Sequence, residues 1–562
     1  MKPACVLAGS FAFTSVLLGA SAASAQRAPS APKPVTEAVR VNVVNVEVFV
    51  TGPHGRPVLD LKPEEFELRE DGKVVPLTNF LAPAPSPAEA APPPAPASTP
   101  GPARIQQPSD EARQRTLVVF VDDLNLTQRS RKPVLDKLRG FLAERTAEGY
   151  RVVILSYNRS LQQHTPLTSD PKVLAAALDK LEHAAYEGLM TRAQRDKLLR
   201  DMGRAAQESG RTADLERTGL STQAQFFALE QEQLNRDLLG VLIKLVDSLA
   251  GVPGRKAVLY VSDGVPLEPG ADVLGEAAAL PNAEPTEVDL TGAATLRLRL
   301  LDVVHHANAS RIAFYTINSG ASSGRDVSAD IATVPGTDTD ATDFFNRDPS
   351  LTALTVGTGG LKLPNAEALP AMAADLDTAY SLGYSPDHFG DGRYHRLSVT
   401  LKRAGLSARY REGYLDKRPE ERQKDATSAA LFAGGNSNPL AATVKLGIPE
   451  KQGRSKLLLP LTVVVPARNL VLLENGTMHE GQVSVTIAAA RAGGRRSELT
   501  RKTFPIRVPS QHVVAFLGGN VSFAFSLLLE PGEATISVSA RDDVSQVESV
   551  VVTTVGAEPA KS

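Results

Sequence analysis

The sequence has a single cysteine, Cys5, and no tryptophan among its 562 residues. One thiol excludes both a disulfide framework and a cysteine-rich zinc module. Aromatic residues make up only 5% of the chain, which argues against a stacking surface for single-stranded nucleic acid. The formal net charge of −2 provides no overall basic field, so neither nucleic acid nor an anionic membrane is an expected partner.

The first 25 residues are predicted to be a signal peptide rather than part of the fold. Lys2 gives a positive start, residues 6–18 are largely apolar, and residues 23–25 (Ala-Ser-Ala) form a small-residue cleavage site. The alternative is an uncleaved anchor. No other run approaches the roughly 18 apolar residues that cross a bilayer, so no membrane span is expected. We expect an exported protein, periplasmic or extracellular.

The rest of the chain divides into four parts that differ in composition and in hydrophobic pattern. Residues 37–82 are predicted to form a small β domain, because valines alternate with polar residues and Asp71-Gly72 is a strong hairpin signal. The alternation slips by one residue near Val43-Val44, which predicts a β-bulge. Residues 83–113 are rich in Pro and Ala and are predicted to be a linker.

Residues 114–415 alternate strands with helices, which predicts an α/β fold with a doubly wound, mostly parallel sheet. Four apolar runs have the character of strands buried on both faces: 117–121, 152–155, 257–261 and 312–317. Residues 184–250 are predicted to be an inserted helical hairpin, and residues 319–350 a long loop. Residues 394–414 are predicted to close this domain as a β-hairpin. Residues 430–557 contain only strand-like segments, which favours a C-terminal β-sandwich.

Oxygen-bearing side chains follow two of the buried strands. Asp123, Asn125 and Thr127 occupy alternate positions after the first strand, and Asp263 follows the third. In an open α/β sheet, ligands bind beyond the carboxyl ends of the strands. Two carboxylates, an amide and a hydroxyl suit a hard divalent cation such as Mg²⁺. The alternative is structural, with Asp123 capping a helix and Asp263-Gly264 forming a turn.

This pattern resembles the von Willebrand factor A domain, a doubly wound sheet with a metal-ion-dependent adhesion site on its top edge. The family's Asp-x-Ser-x-Ser motif is matched by Asp123-x-Asn125-x-Thr127, and its later aspartate by Asp263. The resemblance also implies a threonine ligand between these motifs, for which Thr191 is the nearest candidate. It implies a divalent cation, Mg²⁺ in the first instance, that accepts an acidic residue of a protein partner. Because only two carboxylates would oppose the cation, we expect it to be held weakly.

The wider layout resembles secreted bacterial von Willebrand factor A-related proteins over about residues 37–415. The matching stretches are residues 66–73, 380–386 and 413–414, the last being Gly-Tyr. The resemblance does not extend to residues 430–562. The resemblance thus implies a signal peptide and a β-rich preface to the α/β domain.

Three weaker patterns have structural explanations as well as functional ones. Residues 320–324 fit the nucleophile elbow Gly-x-Ser-x-Gly around Ser322, with His388 and His395 downstream, but no helix pattern follows. The pair His305-His306 could suggest a metal site, but adjacent helix positions point to different sides. The aspartates at 338, 340 and 343 lack the framework of a calcium loop.

These observations favour a secreted, non-enzymatic binding or adhesion protein that uses a degenerate adhesion site. The alternative is a structural envelope or matrix component whose site is vestigial and binds no metal. A serine hydrolase acting through Ser322 is a third, remote hypothesis. The sequence identifies neither the partner nor the oligomeric state.

Overall fold

The structure is a computed structural model, and it describes residues 43–83, 114–282, 290–317, 337–434, 437–452, 456–491, 497 and 499–557. The predicted signal peptide (1–25), nearly all of the predicted linker (83–113) and the elbow around Ser322 lie outside these ranges. A search of the described helices finds none that combines the length and the apolar character of a membrane span.

The chain begins with four short strands and then enters the α/β region. The first four are β1 (Val44–Thr51), β2 (Phe66–Glu70), β3 (Lys73–Val75) and β4 (Asn79–Leu81). The α/β region comprises β5 (Arg115–Asp122), α1 (Gln128–Ala147), β6 (Tyr150–Tyr157), β7 (Leu161–Gln163), α2 (Pro171–His183), α3 (Glu187–Gln207), α4 (Arg211–Leu249), β8 (Arg255–Val261), α5 (Ala271–Ala278), α6 (Leu290–Ala309), β9 (Ile312–Ile317), α7 (Thr337–Thr358), β10 (Lys362–Leu363) and α8 (Leu369–Asp377).

Strands dominate the remainder of the chain. Four further strands and a helix come first: β11 (Tyr380–Tyr384), β12 (Tyr394–Leu401), β13 (Ser407–Tyr410), β14 (Gly413–Leu415) and α9 (Pro419–Ala433). The C-terminal elements are β15 (Thr443–Leu446), β16 (Glu450–Gln452), β17 (Lys456–Pro466), β18 (Leu473–Asn475), β19 (Met478–Arg491), β20 (Thr500–Pro509), α10 (Val513–Leu517), β21 (Asn520–Leu529), β22 (Gly532–Asp542) and β23 (Glu548–Ala557).

The α/β region is built on one sheet, which in the described residues has the strand order β10-β9-β8-β5-β6-β7. All neighbours in it are parallel except β7, which is antiparallel at one edge. The four buried runs predicted from the sequence are β5, β6, β8 and β9, so the mostly parallel sheet is confirmed. After β6 and β7 the chain crosses to the other side of β5, which places the topological switch point between β5 and β8.

Side chains of β5 alternate between two hydrophobic cores, one on each face of the sheet. Leu117, Val119 and Val121 pack with α1, α2 and α8, whereas Val118 and Phe120 pack with α4, α6 and α7. The predicted helical hairpin at 184–250 is present as α3 and α4, but it is more than a surface insertion. The second half of α4 buries leucines at helical spacing against the sheet, namely Leu234, Leu238, Leu242, Leu245 and Leu249.

The predicted loop at 319–350 requires a correction, because helix α7 covers residues 337–358. Leu351 and Leu354 are fully buried in the core beneath it. The Asp- and Thr-rich beginning of this helix has the composition of a loop. Tertiary packing of its later apolar residues outweighs that local signal.

Strands β1–β4 do not form a separate layer, because they pair with β11–β14, some 300 residues later. β1 lies antiparallel to β11 and β13, and β2 lies antiparallel to β12. The resulting two sheets share a core that includes Val46, Leu68 and Tyr380, and we call this unit the N-terminal sandwich. The predicted hairpin at 394–414 is wrong. The chain turns at Gly405 and crosses to the opposite sheet, so that β12 pairs with β2 and β14 while β13 pairs with β1.

The last part of the described chain consists of two antiparallel sheets around a common core. One sheet contains β15, β16, β17 and β21, and the other contains β18, β19, β20, β22 and β23. Helix α9, which the sequence reading missed, joins this unit to the α/β region. Its Phe432 belongs to the α/β core, and its buried Gln423 donates a hydrogen bond to the Ser484 carbonyl at 2.9 Å.

Candidate functional site

The polar side chains predicted from the sequence meet at the switch point of the parallel sheet. Asp122 ends β5, and Asp263 follows the end of β8, so both lie at the same edge. We call this place the carboxyl edge, defined by residues 122–127 and 262–264. It is the position at which open α/β sheets bind ligands.

Asp122, which the sequence reading did not select, is the centre of the carboxyl edge. It is fully buried, and its Oδ2 accepts hydrogen bonds from Tyr260 Oη at 2.6 Å, Ser262 Oγ at 2.8 Å and Asn125 Nδ2 at 3.0 Å. Burial raises the pKa of Asp122, and these hydrogen bonds partly oppose that effect. Asp122 therefore acts as an internal acceptor that fixes the loop.

Asp123 is buried in an ion pair with Arg131. Arg131 Nε donates to Asp123 Oδ1 at 2.8 Å, and both side chains are only 4% exposed. The same guanidinium donates to the Leu181 carbonyl at 2.7 Å and lies 4.5 Å from the ring centre of Tyr186. Burial raises the pKa of Asp123, and Arg131 opposes this rise. A guanidinium thus supplies the positive charge at the first residue of the motif.

A second arginine engages Asn125. Arg347 Nη1, from helix α7, donates to Asn125 Oδ1 at 3.1 Å and to the Gly264 carbonyl at 3.1 Å. The amide nitrogen of Asn125 donates to Asp122 and to Asn235 Oδ1, the latter at 3.0 Å. Both polar atoms of the Asn125 side chain therefore have protein partners.

Asp343, one of the three aspartates considered as calcium ligands, is the ion-pair partner of Arg347. The Nε–Oδ1 distance is 2.7 Å. Burial would raise the pKa of Asp343, but the charge and the hydrogen bond of Arg347 outweigh it and the pKa is lowered. The other two aspartates of that pattern have side chains outside the described set.

Thr127 and Asp263 are brought together as expected, but through the backbone of Thr127. Its amide nitrogen donates to Asp263 Oδ2 at 2.9 Å. Thr191 lies in α3, half-buried, and within the described residues no hydrogen bond joins it to the other four predicted ligands. The structure thus groups Asp123, Asn125, Thr127 and Asp263 at one edge and leaves Thr191 on the neighbouring helix.

The arrangement at the carboxyl edge does not fit a divalent cation. Asp123 Oδ1 and Asn125 Oδ1, the oxygens that would hold the metal, are directed at Arg131 and Arg347. Mg²⁺ demands near-ideal octahedral oxygen ligands, which these oxygens supply only if both guanidinium groups leave. The sequence contains a signal for Arg131. Basic residues occupy the start of α1, where the helix dipole disfavours cations, and no acidic residue lies in that turn.

Helix α3 packs closely on the carboxyl edge, and it can do so because residue 188 is a glycine. Gly188 N donates to the Asp123 carbonyl at 2.9 Å, and a Cβ at this position would lie 2.3 Å from the Leu126 carbonyl oxygen.

Gly188→Ala should therefore push α3 away from the edge and cost about 1–3 kcal/mol, the usual penalty of overpacking. Hydrogen exchange at residues 124–127 in the full chain measures this loss of stability as a loss of amide protection. Gly203→Ala, in the same helix with open space around the new methyl, is the control. Equal protection in the two variants would contradict the close approach.

The remaining sequence candidates have structural partners. His306 Nδ1 lies 2.7 Å from Asp247 Oδ1, and the ring of His305 lies 5.2 Å from that of Tyr394. His388 and His395 belong to the N-terminal sandwich, where they group with Glu70 as a possible metal-binding trio.

Comparisons with known proteins add little. No family model matches the chain, and no curated protein matches it in sequence. The manganese-loaded TRAP protein of Plasmodium vivax is 10% identical, with 54% of this chain and 94% of that chain covered and a TM-score of 0.21. BatB of Bacteroides thetaiotaomicron is 9% identical, with 47% and 97% covered and a TM-score of 0.20.

A third similar structure is proximal thread matrix protein 1 of the mussel byssus, solved with a zinc-occupied metal-ion-dependent adhesion motif. It is 9% identical, with 49% of each chain covered and a TM-score of 0.19. Similarities at this level carry no argument about this chain, so the fold and the site are argued from the geometry above.

Proposed function

We propose that this chain is an exported, non-enzymatic binding or scaffold protein whose carboxyl edge is closed by arginines and works without a divalent cation. The observation that carries the proposal is the buried Asp123–Arg131 pair, in which a guanidinium takes the place of the ion. Arg347 does the same for Asn125. The edge then serves to hold the loops, α3 and α7 together.

The pairing of charges supports a structural role for the edge. Among the described side chains there, Asp123 is paired with Arg131 and Asp343 with Arg347. These guanidinium groups are held by the protein's own carboxylates and are not presented to an acidic group of a partner. Partner binding is therefore assigned to other surfaces of the chain.

A binding assay with and without magnesium tests this proposal. Full-length protein freed of divalent ions is offered an extract of the producing cells, with or without added Mg²⁺, and the captured proteins are compared. The proposal expects the same captured set in both. Capture that requires Mg²⁺ and is lost in Asp123→Asn would support the adhesion-site hypothesis instead. Labelling by a serine-reactive probe, abolished by Ser322→Ala, would support the serine-hydrolase hypothesis instead.

A further inference from the structure

The N-terminal sandwich contains a second polar cluster, remote in sequence from the carboxyl edge. It is formed by His388 and by His395 of β12, surrounded by the carboxylates of Glu70, Asp71, Asp391 and Asp416. The two imidazole rings are stacked, with centroids 3.9 Å apart and planes 14° apart. The ligating atoms of Glu70, His388 and His395 all lie within 4.8 Å of one another.

Every ring nitrogen in this cluster faces a carboxylate oxygen. His388 Nδ1 is 3.0 Å from Asp416 Oδ2, and its Nε2 is 3.3 Å from Glu70 Oε1. His395 Nδ1 is 2.8 Å from Asp71 Oδ2, and its Nε2 is 3.2 Å from Asp391 Oδ2. A neutral imidazole has one donor and one acceptor nitrogen, so each ring would set a lone pair against a carboxylate. Two doubly protonated rings, on the other hand, would repel each other across the stack.

A divalent cation resolves this conflict, and we infer that the cluster is a transition-metal site with Zn²⁺ as its preferred ion. Glu70, His388 and His395 are the protein ligands. Imidazole and carboxylate together suit zinc, whereas magnesium prefers oxygen alone.

The contacts of the Nδ1 atoms with carboxylates are shorter than those of the Nε2 atoms. The Nδ1 contacts of 2.8 and 3.0 Å are ordinary hydrogen bonds. The Nε2 contacts of 3.2 and 3.3 Å are long for hydrogen bonds. Two ligands of a tetrahedral zinc ion, each about 2.0–2.1 Å from it, lie about 3.3–3.4 Å apart. The two Nδ1 atoms are held by Asp71 and Asp416, which leaves the Nε2 atoms as the ligands once one ring has turned.

Each ligand is oriented by a neighbour, as protein metal sites require. Asp416 and Asp71 fix the two histidine rings. Tyr384 Oη and Tyr414 Oη each donate to Glu70 Oε1 at 2.6 Å. Because coordination of one ion by both rings requires one imidazole to turn about its Cβ–Cγ bond, metal binding is expected to open the stack.

Calorimetric titration of Zn²⁺ into untagged, chelator-treated full-length protein tests the inference. We expect one zinc ion per chain, and binding weakened at least 100-fold in His388→Gln and in His395→Gln. Asp71→Asn, a half-exposed position outside the ligand set, should weaken binding by about 10- to 100-fold without threatening the fold. His183→Gln, an exposed histidine of α2, is the matched control and should bind as the wild type does.

Cobalt provides a direct view of the ligands, because Co²⁺ in a tetrahedral site absorbs visible light. The wild type should develop that absorption and His395→Gln should not. The inference is overturned if the wild type shows no saturable zinc binding, or if Asp71→Asn and both histidine variants bind zinc as tightly as the wild type. In that event the cluster is held together by the contacts of its rings with the four carboxylates alone.

Discussion

Replacing Arg131 with methionine should lower the stability of the parallel sheet by about 3–5 kcal/mol. The reason is the carboxylate left behind: Asp123 is 3% exposed, and Arg131 is its ion-pair partner in the described structure. Removing one member of a buried pair leaves an uncompensated charge in a medium that solvates it poorly. The methionine side chain keeps most of the packing against Tyr186.

Hydrogen exchange of the β5 and β8 amides measures this effect in the full chain, because it reports the opening of one sheet without requiring two-state unfolding. The expected loss of protection is roughly 100- to 5,000-fold. Arg297→Met is the matched control, since its pair with Glu268 is about half exposed and is worth about 0–1 kcal/mol. Asp123→Leu combined with Arg131→Met should recover most of the loss. An Arg131→Met variant as stable as the control would show that the pair is not formed.

Replacing Asp122 with leucine should be similarly damaging. Three buried donors, on Tyr260, Ser262 and Asn125, would lose their acceptor. Each unsatisfied buried group costs about 1–3 kcal/mol, so three of them should cost about 3–9 kcal/mol. Asp122→Asn keeps one acceptor oxygen and the side-chain shape, and it should cost clearly less.

Tyr260→Phe isolates one of these bonds and should cost about 1 kcal/mol, because donor and contact are removed together without leaving a new buried donor. Hydrogen exchange at Asn125–Thr127 provides the readout. If Asp122→Leu and Tyr260→Phe lost equal protection, the carboxylate would not be the centre of the edge.

The sequence was sufficient to predict the parallel sheet because continuous apolar runs such as 117–121 have few alternatives to a strand buried on both faces. It also placed Asp123 and Asp263 at one edge, since parallel strands share the direction of their carboxyl ends. Those predictions rest on local pattern, and the described structure agrees with them.

The local sequence pattern could not identify the side chains and strands that these residues contact. Arg347 reaches Asn125 from a helix whose early residues resemble a loop, 222 positions later. The pairing of β1 with β11, and of β2 with β12, depends on contacts more than 300 residues apart. The histidine cluster was missed for the same reason, because Glu70 ends β2, Asp71 follows it, and the two histidines that they contact come more than 300 residues later in the chain. Neither residues 70–71 nor residues 388–395 show the spacing of a metal-binding motif by themselves.

The central claim, that guanidinium groups replace a divalent cation at the carboxyl edge, is tested most directly by titrating Mg²⁺ into the divalent-free full-length protein. Hydrogen exchange at residues 122–127 is followed in the wild type and in Asp123→Asn. Magnesium is chosen because the histidine cluster favours zinc. We predict no change in protection up to about 10 mM Mg²⁺ in either protein. A site of millimolar affinity would instead stabilise the wild type by about 1.4 kcal/mol at that concentration. Such an increase, saturable in the wild type and absent in Asp123→Asn, would contradict the account.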